Sequence, residues 1–321
     1  MSHVLVTGGS GFVGKALVRH LVGRGYAVRA TYRSSAPEEI AGVEWVHTKD
    51  VAGGDFAGLL KDCDFVVHLA ALAHQLTGKV PEGEFDRVNH RATAELAQAV
   101  ADSATVKRMV FVSSIGAVCS ASEKVVTERT ECRPDSEYGR SKRDAEVAVE
   151  KILAGTRADY CVIRPPLVYG RGNPGNMLRL LKLTKSPVPL PLGSIRNRRT
   201  FIYVGNLVDV IEKALTHPKA SRRIFNVADS EVLSTPELIR ELARVRGTKA
   251  RLMPMPGRML RAMGKVGDVV GKVVRRSVPI DTYSVDRLLG SLEIDSAEVR
   301  RELNWSPPYS TREGLKLTLA E

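Results

Sequence analysis

The sequence predicts an α/β protein built on a doubly wound parallel sheet, the Rossmann arrangement, with a smaller C-terminal lobe. Short runs of β-forming residues alternate with helical patterns up to about residue 165, the order that βαβ units produce. The first of these runs leads straight into a glycine-rich turn. The composition agrees with a globular fold, because 43% of the 321 residues are hydrophobic and 26% are charged.

Residues 1–170 are predicted to form the main sheet and its helices. Amphipathic helices are indicated where apolar residues recur at helical spacing, at Phe12–Arg24, Glu84–Ser103 and Ser136–Leu153. Strands are indicated by short runs rich in β-branched and aromatic residues: His3–Thr7, Ala27–Tyr32, Trp45–His47, Phe65–Leu69, Met109–Ser113 and Tyr160–Arg164.

Residues 171–321 are predicted to form mainly a second lobe that covers the carboxyl edge of the sheet. Proline and glycine become frequent here, and shorter helices are indicated at Asn206–Thr216 and Thr235–Arg246. Two strands, Thr200–Tyr203 and Arg223–Val227, are expected to return to the main sheet and extend it.

The turn after the first strand predicts a dinucleotide site. It reads GGSGFVG and opens the first helix, so the backbone N–H groups at the positive end of that helix can approach a pyrophosphate. A purely structural tight turn is the alternative, and the strand–turn–helix context makes it the weaker one. The predicted contacts are Gly8, Gly11, Phe12, Val13 and Gly14.

The end of the second strand favours NADP(H), with NAD(H) as the alternative. An acidic residue there would bind the ribose hydroxyls of NAD(H), but this chain has Arg33, which can pair with a 2′-phosphate. A solvated loop arginine is the other interpretation of Arg33. Further cofactor contacts are predicted after the third and fourth strands, at Asp50, Val51, Leu69, Ala70 and Ala71.

A tyrosine, a lysine and a serine form the predicted catalytic set. Tyr138 and Lys142 are four residues apart on a predicted helix and share one face, while Ser114 ends the fifth strand. Hydride transfer to a carbonyl needs a proton donor, and Tyr138 can serve if the Lys142 cation lowers its pKa. Lys142 is also expected to hold the nicotinamide ribose, and Ser114 to hydrogen-bond the carbonyl oxygen. A tyrosine–lysine pair on an exposed helix is the bland alternative.

The charge and the cysteine content indicate which ligands, metal sites and cellular location to expect. The net charge of +12 comes without a zinc-finger or helix-turn-helix pattern and with only 5% aromatic residues, so no nucleic acid is expected. A solvated basic surface is the plain interpretation of this charge, and phosphate-bearing ligands are the next. The four cysteines are scattered and lack metal spacing, so no metal site is predicted. With no export signal and no apolar run of membrane-spanning length, the protein is expected to be cytoplasmic.

Residues 256–276 combine an apolar stripe with basic residues, and two interpretations of this stretch stay open. One is a lid helix docked on the second lobe, which is the more common fate of an apolar helix face. The other is a helix lying on the inner face of an anionic membrane. The apolar residues are expected along one stripe: Met259, Leu260, Met263, Val266, Val269, Val270, Val273 and Val274.

Taken together, these motifs resemble the extended short-chain dehydrogenase/reductase family over nearly the whole chain. The matching segments are GGSGFVG, HLAA, FVSS, YGRSK, RPPLVYGRG, RRTFIYVGNLVD and RRELNW. The resemblance implies a sugar-nucleotide substrate, usually a UDP-sugar, and a homodimer. It also implies a diphosphate contact at Arg199, a position near uracil at Leu192, and further substrate contacts at Asn176 and Arg287.

The resemblance leaves three functional hypotheses, of which an NADP(H)-dependent 4-reductase acting on a UDP-4-keto-6-deoxy-hexosamine is favoured by Arg33. This enzyme would belong to surface-polysaccharide synthesis, as the C-terminal segment also suggests by resemblance. The second hypothesis is a 4-epimerase acting on a UDP-sugar or a polyprenyl-diphosphate sugar. The third is a non-catalytic dinucleotide sensor, which would have no need of a proton donor.

Overall fold

The strands of the computed structural model follow the order expected for a Rossmann protein. The model describes residues 1–34, 36–51, 54–73, 80–173, 189–274 and 282–319. Its strands are β1 (His3–Thr7), β2 (Ala27–Tyr32), β3 (Val43–His47), β4 (Phe65–His68), β5 (Arg108–Val112), β6 (Asp159–Arg164), β7 (Leu167–Tyr169), β8 (Arg199–Tyr203), β9 (Arg223–Asn226) and β10 (Val232–Leu233). Seven of them form one parallel sheet in the order β3-β2-β1-β4-β5-β6-β9, which confirms the predicted doubly wound fold.

The described helices surround this sheet and extend into the C-terminal part. They are α1 (Phe12–Gly23), α2 (Phe56–Leu60), α3 (Ala92–Asp102), α4 (Glu137–Ile152), α5 (Val204–Thr216), α6 (Thr235–Val245), α7 (Gly257–Val274), α8 (Thr282–Leu289), α9 (Ala297–Leu303) and α10 (Thr311–Leu319). A π-helical turn, Asp86–Arg91, precedes α3, and a short 3₁₀ turn, Ile115–Ala117, follows β5. Within the described ranges, no helix is both long and apolar enough to cross a bilayer.

The core lies on both faces of the main sheet. Val4 and Val6 of β1 pack with residues of α1 and α5, whereas Leu5 between them packs with residues of α2, α3 and α4. Successive side chains of a strand point to opposite faces, so a sheet covered on both sides needs apolar residues at every position. This is why the central strands read as continuous apolar runs in the sequence.

One strand was assigned to the wrong sheet. The prediction that Thr200–Tyr203 extends the main sheet is wrong, because β8 pairs with β7 and β10 in a separate three-stranded sheet. Pro165 and Pro166 lie between β6 and β7, and neither has an N–H group to continue a ladder, so the chain leaves the main sheet there. The other expected strand, β9, does join the main sheet beside β6.

A group of charged side chains fixes α1 against α5. Arg24 lies 3.8 Å from the Asp209 carboxylate and 3.6 Å from that of Glu212, and the His20 ring lies 3.3 Å from Glu212. Trp305 donates from Nε1 to Asp209 at 2.8 Å. His20, Asp209 and Glu212 are close enough to share a cation, and the guanidinium of Arg24 already supplies one. These contacts hold the helix whose first turn carries the glycine motif.

Candidate active site

The glycine turn has the close backbone approaches that a dinucleotide site requires. Gly8 has φ +70°, and a Cβ added there would lie 2.8 Å from the backbone N of Ala70. A Cβ at Gly14 would overlap the carbonyl oxygen of Gly8. Gly11 begins α1, and no described side chain caps this helix, so its first N–H groups can face a ligand. Phe12 and Val13 continue the turn into α1. The residues present therefore fit a bound pyrophosphate.

A buried hydrogen-bond chain beneath this turn fixes the tautomer of His68. Thr93 Oγ1 donates to the Asn89 carbonyl at 2.6 Å, so it can only accept from His68 Nε2, at 2.9 Å. His68 Nδ1 is then an acceptor for Thr7 Oγ1 at 2.6 Å. Burial, with a smaller contribution from the charge of Lys142, lowers the pKa of His68 to about 3. A neutral imidazole thus links β1, β4 and α3.

Asn89 connects the loop after β4 to the catalytic helix. Its Oδ1 accepts from Leu72 N at 2.7 Å, and its Nδ2 donates to Leu72 O and to Ser141 Oγ, both at 3.0 Å. Ser141 donates in turn to the Tyr138 carbonyl at 2.9 Å. The loop Leu69–Ala71, a predicted cofactor contact, is therefore anchored at its end. Sequence analysis missed Asn89, although a polar amide among the apolar positions of a predicted helix is a signal that could have been used.

Close packing of two glycines brings Ser114 and Tyr138 together. A Cβ added to Gly139 would overlap the carbonyl oxygen of Gly116, so α4 begins directly against the 3₁₀ turn after β5. A Cβ added to Gly116 would lie 3.3 Å from Ser114 Oγ and 3.7 Å from Cε1 of Tyr138. The serine and tyrosine side chains therefore flank the same glycine, as the predicted catalytic set requires. Sequence analysis did not single out these two glycines.

The phenol of Tyr138 is half-buried, and its surroundings raise its pKa. Burial is the main cause, and a hydrogen bond with Ser114 opposes it. The Phe85 ring packs edge-on against Tyr138, with 6.3 Å between the ring centroids. The expectation that Lys142 lowers the pKa of Tyr138 is therefore not met, because desolvation is the largest effect on this phenol.

Lys142 is almost completely buried, with 2% of its surface exposed. Its Nζ donates to the Val112 carbonyl at 2.8 Å and lies 4.2 Å from the centroid of the Phe111 ring. Burial lowers the pKa of Lys142 to about 7, and the negative charge of Glu146 opposes this change. The lysine is thus held at the end of β5, where its charge depends on the pH and on whatever binds beside it.

Glu146 is a fully buried carboxylate one helical turn beyond Lys142. It accepts from Ser113 Oγ at 2.6 Å and Arg164 Nε at 2.8 Å through Oε1, and from Arg143 Nη1 at 3.0 Å through Oε2. These donors satisfy the hydrogen-bonding capacity of a carboxylate that has no access to water. Glu146 was not predicted from the sequence, and it gives Lys142 a fixed negative neighbour.

Four charged side chains gather at the expected adenosine end of the cofactor site. Arg87 contacts Asp50 and forms an ion pair with Glu84, 2.7 Å from Oε1. The Asp50 carboxylate also accepts from the Val51 N–H at 2.7 Å. The hydrogen bond from Arg87 lowers the pKa of Glu84, and the positive charge of Arg33, which is exposed next to this group, adds a smaller contribution in the same direction. The predicted residues Arg33, Asp50 and Val51 therefore lie together, with a second arginine that was not predicted.

Two arginines, Arg199 and Arg287, lie close together in the C-terminal part. Arg199 donates from Nη1 to the Arg287 carbonyl at 2.6 Å and to the Gly290 carbonyl at 3.2 Å. Burial and the neighbouring charge of Arg287 lower the pKa of Arg199 to about 10. Holding two like charges together in a partly buried place is unfavourable, and an anion bound between them would relieve the repulsion.

The two remaining predicted substrate contacts are Leu192 and Asn176. Leu192 is 6% exposed and packs with Leu260 of α7 and Val285 of α8, so it belongs to the core of the lobe, and its contact with a base stays a prediction. Asn176 lies outside the described residues.

The segment Ser291–Ile294 connects the lobe to the loop that follows Ser114. Its Ser291 and Glu293 carbonyls accept from the N–H groups of Ser122 and Val126, each at 2.8 Å. On its other side, the Leu292 carbonyl accepts from the Thr200 N–H at 3.2 Å. These backbone hydrogen bonds connect the strand that begins at Arg199 to the loop that follows Ser114.

The family of the chain follows from comparison with known proteins. Residues 4–228 match the model of the NAD-dependent epimerase/dehydratase family, and the chain belongs to this family. It is 34% identical to a UDP-glucose 4-epimerase of Vibrio cholerae, over 98% of this chain and 94% of that protein.

Two further comparisons agree with this assignment. The chain is 26% identical to an Escherichia coli O157:H7 4-epimerase of N-acetyl-α-D-glucosaminyl-diphospho-ditrans,octacis-undecaprenol, over 99% and 94% of the two chains. The UDP-glucuronic acid 4-epimerase of Bacillus cereus, solved with UDP-glucuronic acid and NAD, superimposes with a TM-score of 0.76 at 21% identity and covers 98% of this chain and 97% of its own. At that identity the superposition supports the fold alone.

Proposed function

We propose that this protein is a UDP-hexose 4-epimerase that uses NAD. The observation that carries the proposal is the Ser114–Tyr138 pair, held around Gly116 at the carboxyl edge of the sheet. The glycine turn lies at the same edge, where open α/β sheets bind their ligands. The similarity to the Vibrio cholerae epimerase over nearly the full length supports the same reaction.

The chemistry requires one side chain to take and return a proton. NAD, when bound at the glycine turn, would accept the C4 hydrogen of the sugar as hydride and give it back. Tyr138 takes the proton of the C4 hydroxyl while that hydrogen leaves, so a 4-keto sugar forms. Because burial raises the pKa of Tyr138, its ionised form would depend on a positive charge on Lys142. Ser114 donates a hydrogen bond to the C4 oxygen. Once the keto sugar has turned its other face, Tyr138 returns the proton to the C4 oxygen, so the reaction inverts C4 without net oxidation.

The charge of Lys142 supports this step. With a pKa of about 7, the lysine can be charged or neutral near neutral pH, and a phenolate at Tyr138 would favour the charged form. Glu146 opposes the loss of that charge. The buried ion pair between Glu146 and Arg164 keeps the carboxylate in place below the lysine.

The diphosphate of the substrate would lie at Arg199 and Arg287. Their mutual repulsion, which contributes to the lowered pKa of Arg199, would be relieved by a bound dianion. The connection through Ser291–Ile294 ties this place to the loop after Ser114. Binding energy from the diphosphate would thus orient the sugar toward Tyr138.

The proposal is tested by incubating the purified protein with UDP-glucose and no added nucleotide. We expect UDP-galactose to form until the two sugars reach equilibrium, with no net change in free NADH. Tyr138→Phe should fail to form it, whereas Tyr160→Phe, a change on β6 away from the site, should not affect the rate. Absence of product from UDP-glucose and from UDP-N-acetylglucosamine would reject a UDP-hexose epimerase. Light scattering on the same sample tests the predicted homodimer.

A second candidate function is the NADPH-dependent 4-reductase, and Arg33 is the observation that favours it. Arg33 is exposed beside Arg87 at the expected adenosine end, where two guanidinium groups could meet a 2′-phosphate. This enzyme would consume NADPH stoichiometrically with a UDP-4-keto-6-deoxy-hexosamine. Oxidation of NADPH by that substrate, without interconversion of UDP-glucose and UDP-galactose, would replace the epimerase by the reductase.

A further inference from the structure

Helix α7 has three large apolar side chains that are exposed to solvent. Met259, Met263 and Val266 have 52%, 38% and 63% of their surface exposed. They are four and three residues apart, so they lie on one side of the helix, which we call the apolar face. Leu260, by contrast, is buried against the lobe. The predicted stripe is therefore buried at Leu260 and exposed at Met259, Met263 and Val266.

The inner side of α7 packs against the rest of the lobe, and these contacts set the orientation of the helix. Leu260 packs with Leu192, Ile239 and Val285. The N–H and hydroxyl of Thr282, at the start of α8, donate to the Asp268 carboxylate at 3.1 and 2.5 Å. These contacts fix which side faces outward.

Basic side chains border the apolar face along one edge. Arg258, Arg261 and Lys265, which we call the basic flank, are all exposed. Their spacing of three and four residues places them in one row along the exposed part of the helix, whereas Gly264 is buried. Arg261 also contacts Asp286 at 3.2 Å. The helix therefore has an inner apolar side, an outer apolar side and a basic edge between them.

The concentration of apolar surface here is unusual within the described chain. Nine large hydrophobic residues are exposed among the described residues, and three of them, Met259, Met263 and Val266, form the apolar face. Scattered exposed hydrophobic residues need no explanation, whereas a contiguous group marks a surface that is covered by something.

We propose that the apolar face and the basic flank of α7 dock this protein on an anionic lipid bilayer. An interfacial helix places its apolar side among the acyl chains near the headgroups and its basic side chains against anionic lipid. Charge argues against a second copy of this chain as the occupant, because the chain carries a net charge of +12 and would bring another basic flank to the same surface. The proposal does not depend on which sugar is the substrate.

Docking would also place the substrate site near the headgroups. Leu260 and the Arg287 helix, α8, belong to the same packed unit as α7, and Arg287 lies beside Arg199. A diphosphate bound by these arginines would therefore be held by elements that pack directly behind the membrane-facing helix.

Vesicle sedimentation tests the proposal with the full-length protein. We expect the wild type to pellet with vesicles of equal parts phosphatidylglycerol and phosphatidylcholine, and not with phosphatidylcholine alone. Raising the salt should reduce binding, because screening weakens attraction between exposed charges. Arg258→Glu/Lys265→Glu should weaken binding by at least ~20-fold, since each basic residue contributes roughly fivefold before its charge is reversed.

Matched controls separate a specific surface from general basicity. Lys61→Glu/Lys151→Glu makes the same change in net charge at exposed lysines of the main α/β part and should retain most of the binding. Met263→Asp/Val266→Asp should lose binding, whereas Val125→Asp/Leu317→Asp, at two other exposed apolar positions, should not. Unfolding temperatures near that of the wild type would show that each variant is folded.

Tryptophan fluorescence provides an independent measurement of membrane binding. Tryptophan introduced by Met263→Trp should show blue-shifted fluorescence when anionic vesicles are added, and Leu317→Trp should not. The proposal is overturned if the wild type does not bind anionic vesicles, or if both charge variants lose binding equally. It is also overturned if the Met263→Asp/Val266→Asp change instead abolishes self-association, because a second copy would then cover this surface.

Discussion

Replacing Lys142 with methionine should make the protein more stable while it abolishes turnover. Methionine has nearly the shape of the lysine side chain but has no charge to bury. Lys142 is 2% exposed, and burial lowers its pKa from 10.5 to about 7. The folded protein therefore pays a free-energy penalty whenever this lysine is protonated.

The magnitude follows from that pKa. Each pKa unit corresponds to ~1.4 kcal/mol, so a value of about 7 in place of 10.5 represents ~5 kcal/mol at low pH. The variant loses the hydrogen bond to Val112 and the contact with the Phe111 ring, which together contribute ~2 kcal/mol. The net gain is ~3 kcal/mol in the free energy of unfolding near pH 6, or roughly 4 °C in the melting temperature.

The sign of the pH dependence is fixed by the direction of the shift. Between the folded pKa of about 7 and the unfolded value of 10.5, the unfolded chain binds more protons at Lys142 than the folded one. The stability of the wild type therefore rises with pH relative to the variant. The advantage of Lys142→Met should be full below pH ~7 and should shrink by roughly 2–3 kcal/mol between pH 6 and pH 9.

The measurement is urea unfolding of cofactor-free protein at several pH values between 6 and 9. Lys151→Met, at an exposed lysine on the same helix, serves as the control and should change stability by less than ~0.5 kcal/mol at every pH. A Lys142→Met variant that is less stable than the wild type at pH 6 would refute the reasoning. So would a difference that stays constant over the whole pH range.

Three further predictions concern the site. Tyr138→Phe should lower turnover by ~10²–10⁴-fold and leave the dissociation constant of the cofactor unchanged by fluorescence titration; near-wild-type turnover would remove the phenol from the mechanism. Arg199→Ala should weaken binding of UDP-sugar by ~1–3 kcal/mol in calorimetry without affecting the cofactor, and the reverse pattern would place Arg199 elsewhere. Arg33→Asp should weaken NADPH relative to NADH by tenfold or more at low salt, and equal wild-type affinities that salt does not change would show that Arg33 touches no phosphate.

The sequence by itself determined the fold class and the chemistry of the catalytic set. Continuous apolar strands, amphipathic helices and a glycine turn at the first βα junction are local patterns, and each encodes its own element. The spacing of Tyr138 and Lys142 on one helix also follows from local geometry. The family match and the parallel order of the sheet confirmed the family and the fold class, whereas the catalytic roles of Ser114, Tyr138 and Lys142 stay predictions.

The tertiary structure alone decided which distant groups meet and what their charges become. The pairing partner of β8 depended on where the chain turned at Pro165 and Pro166. The contacts of Asn89 with Leu72 and Ser141, and the role of Glu146 beneath Lys142, join segments that are far apart in the chain or on different elements. The pKa values of Tyr138 and Lys142 differ from the sequence-based expectation because desolvation depends on every atom packed around a group, and no local pattern records that packing.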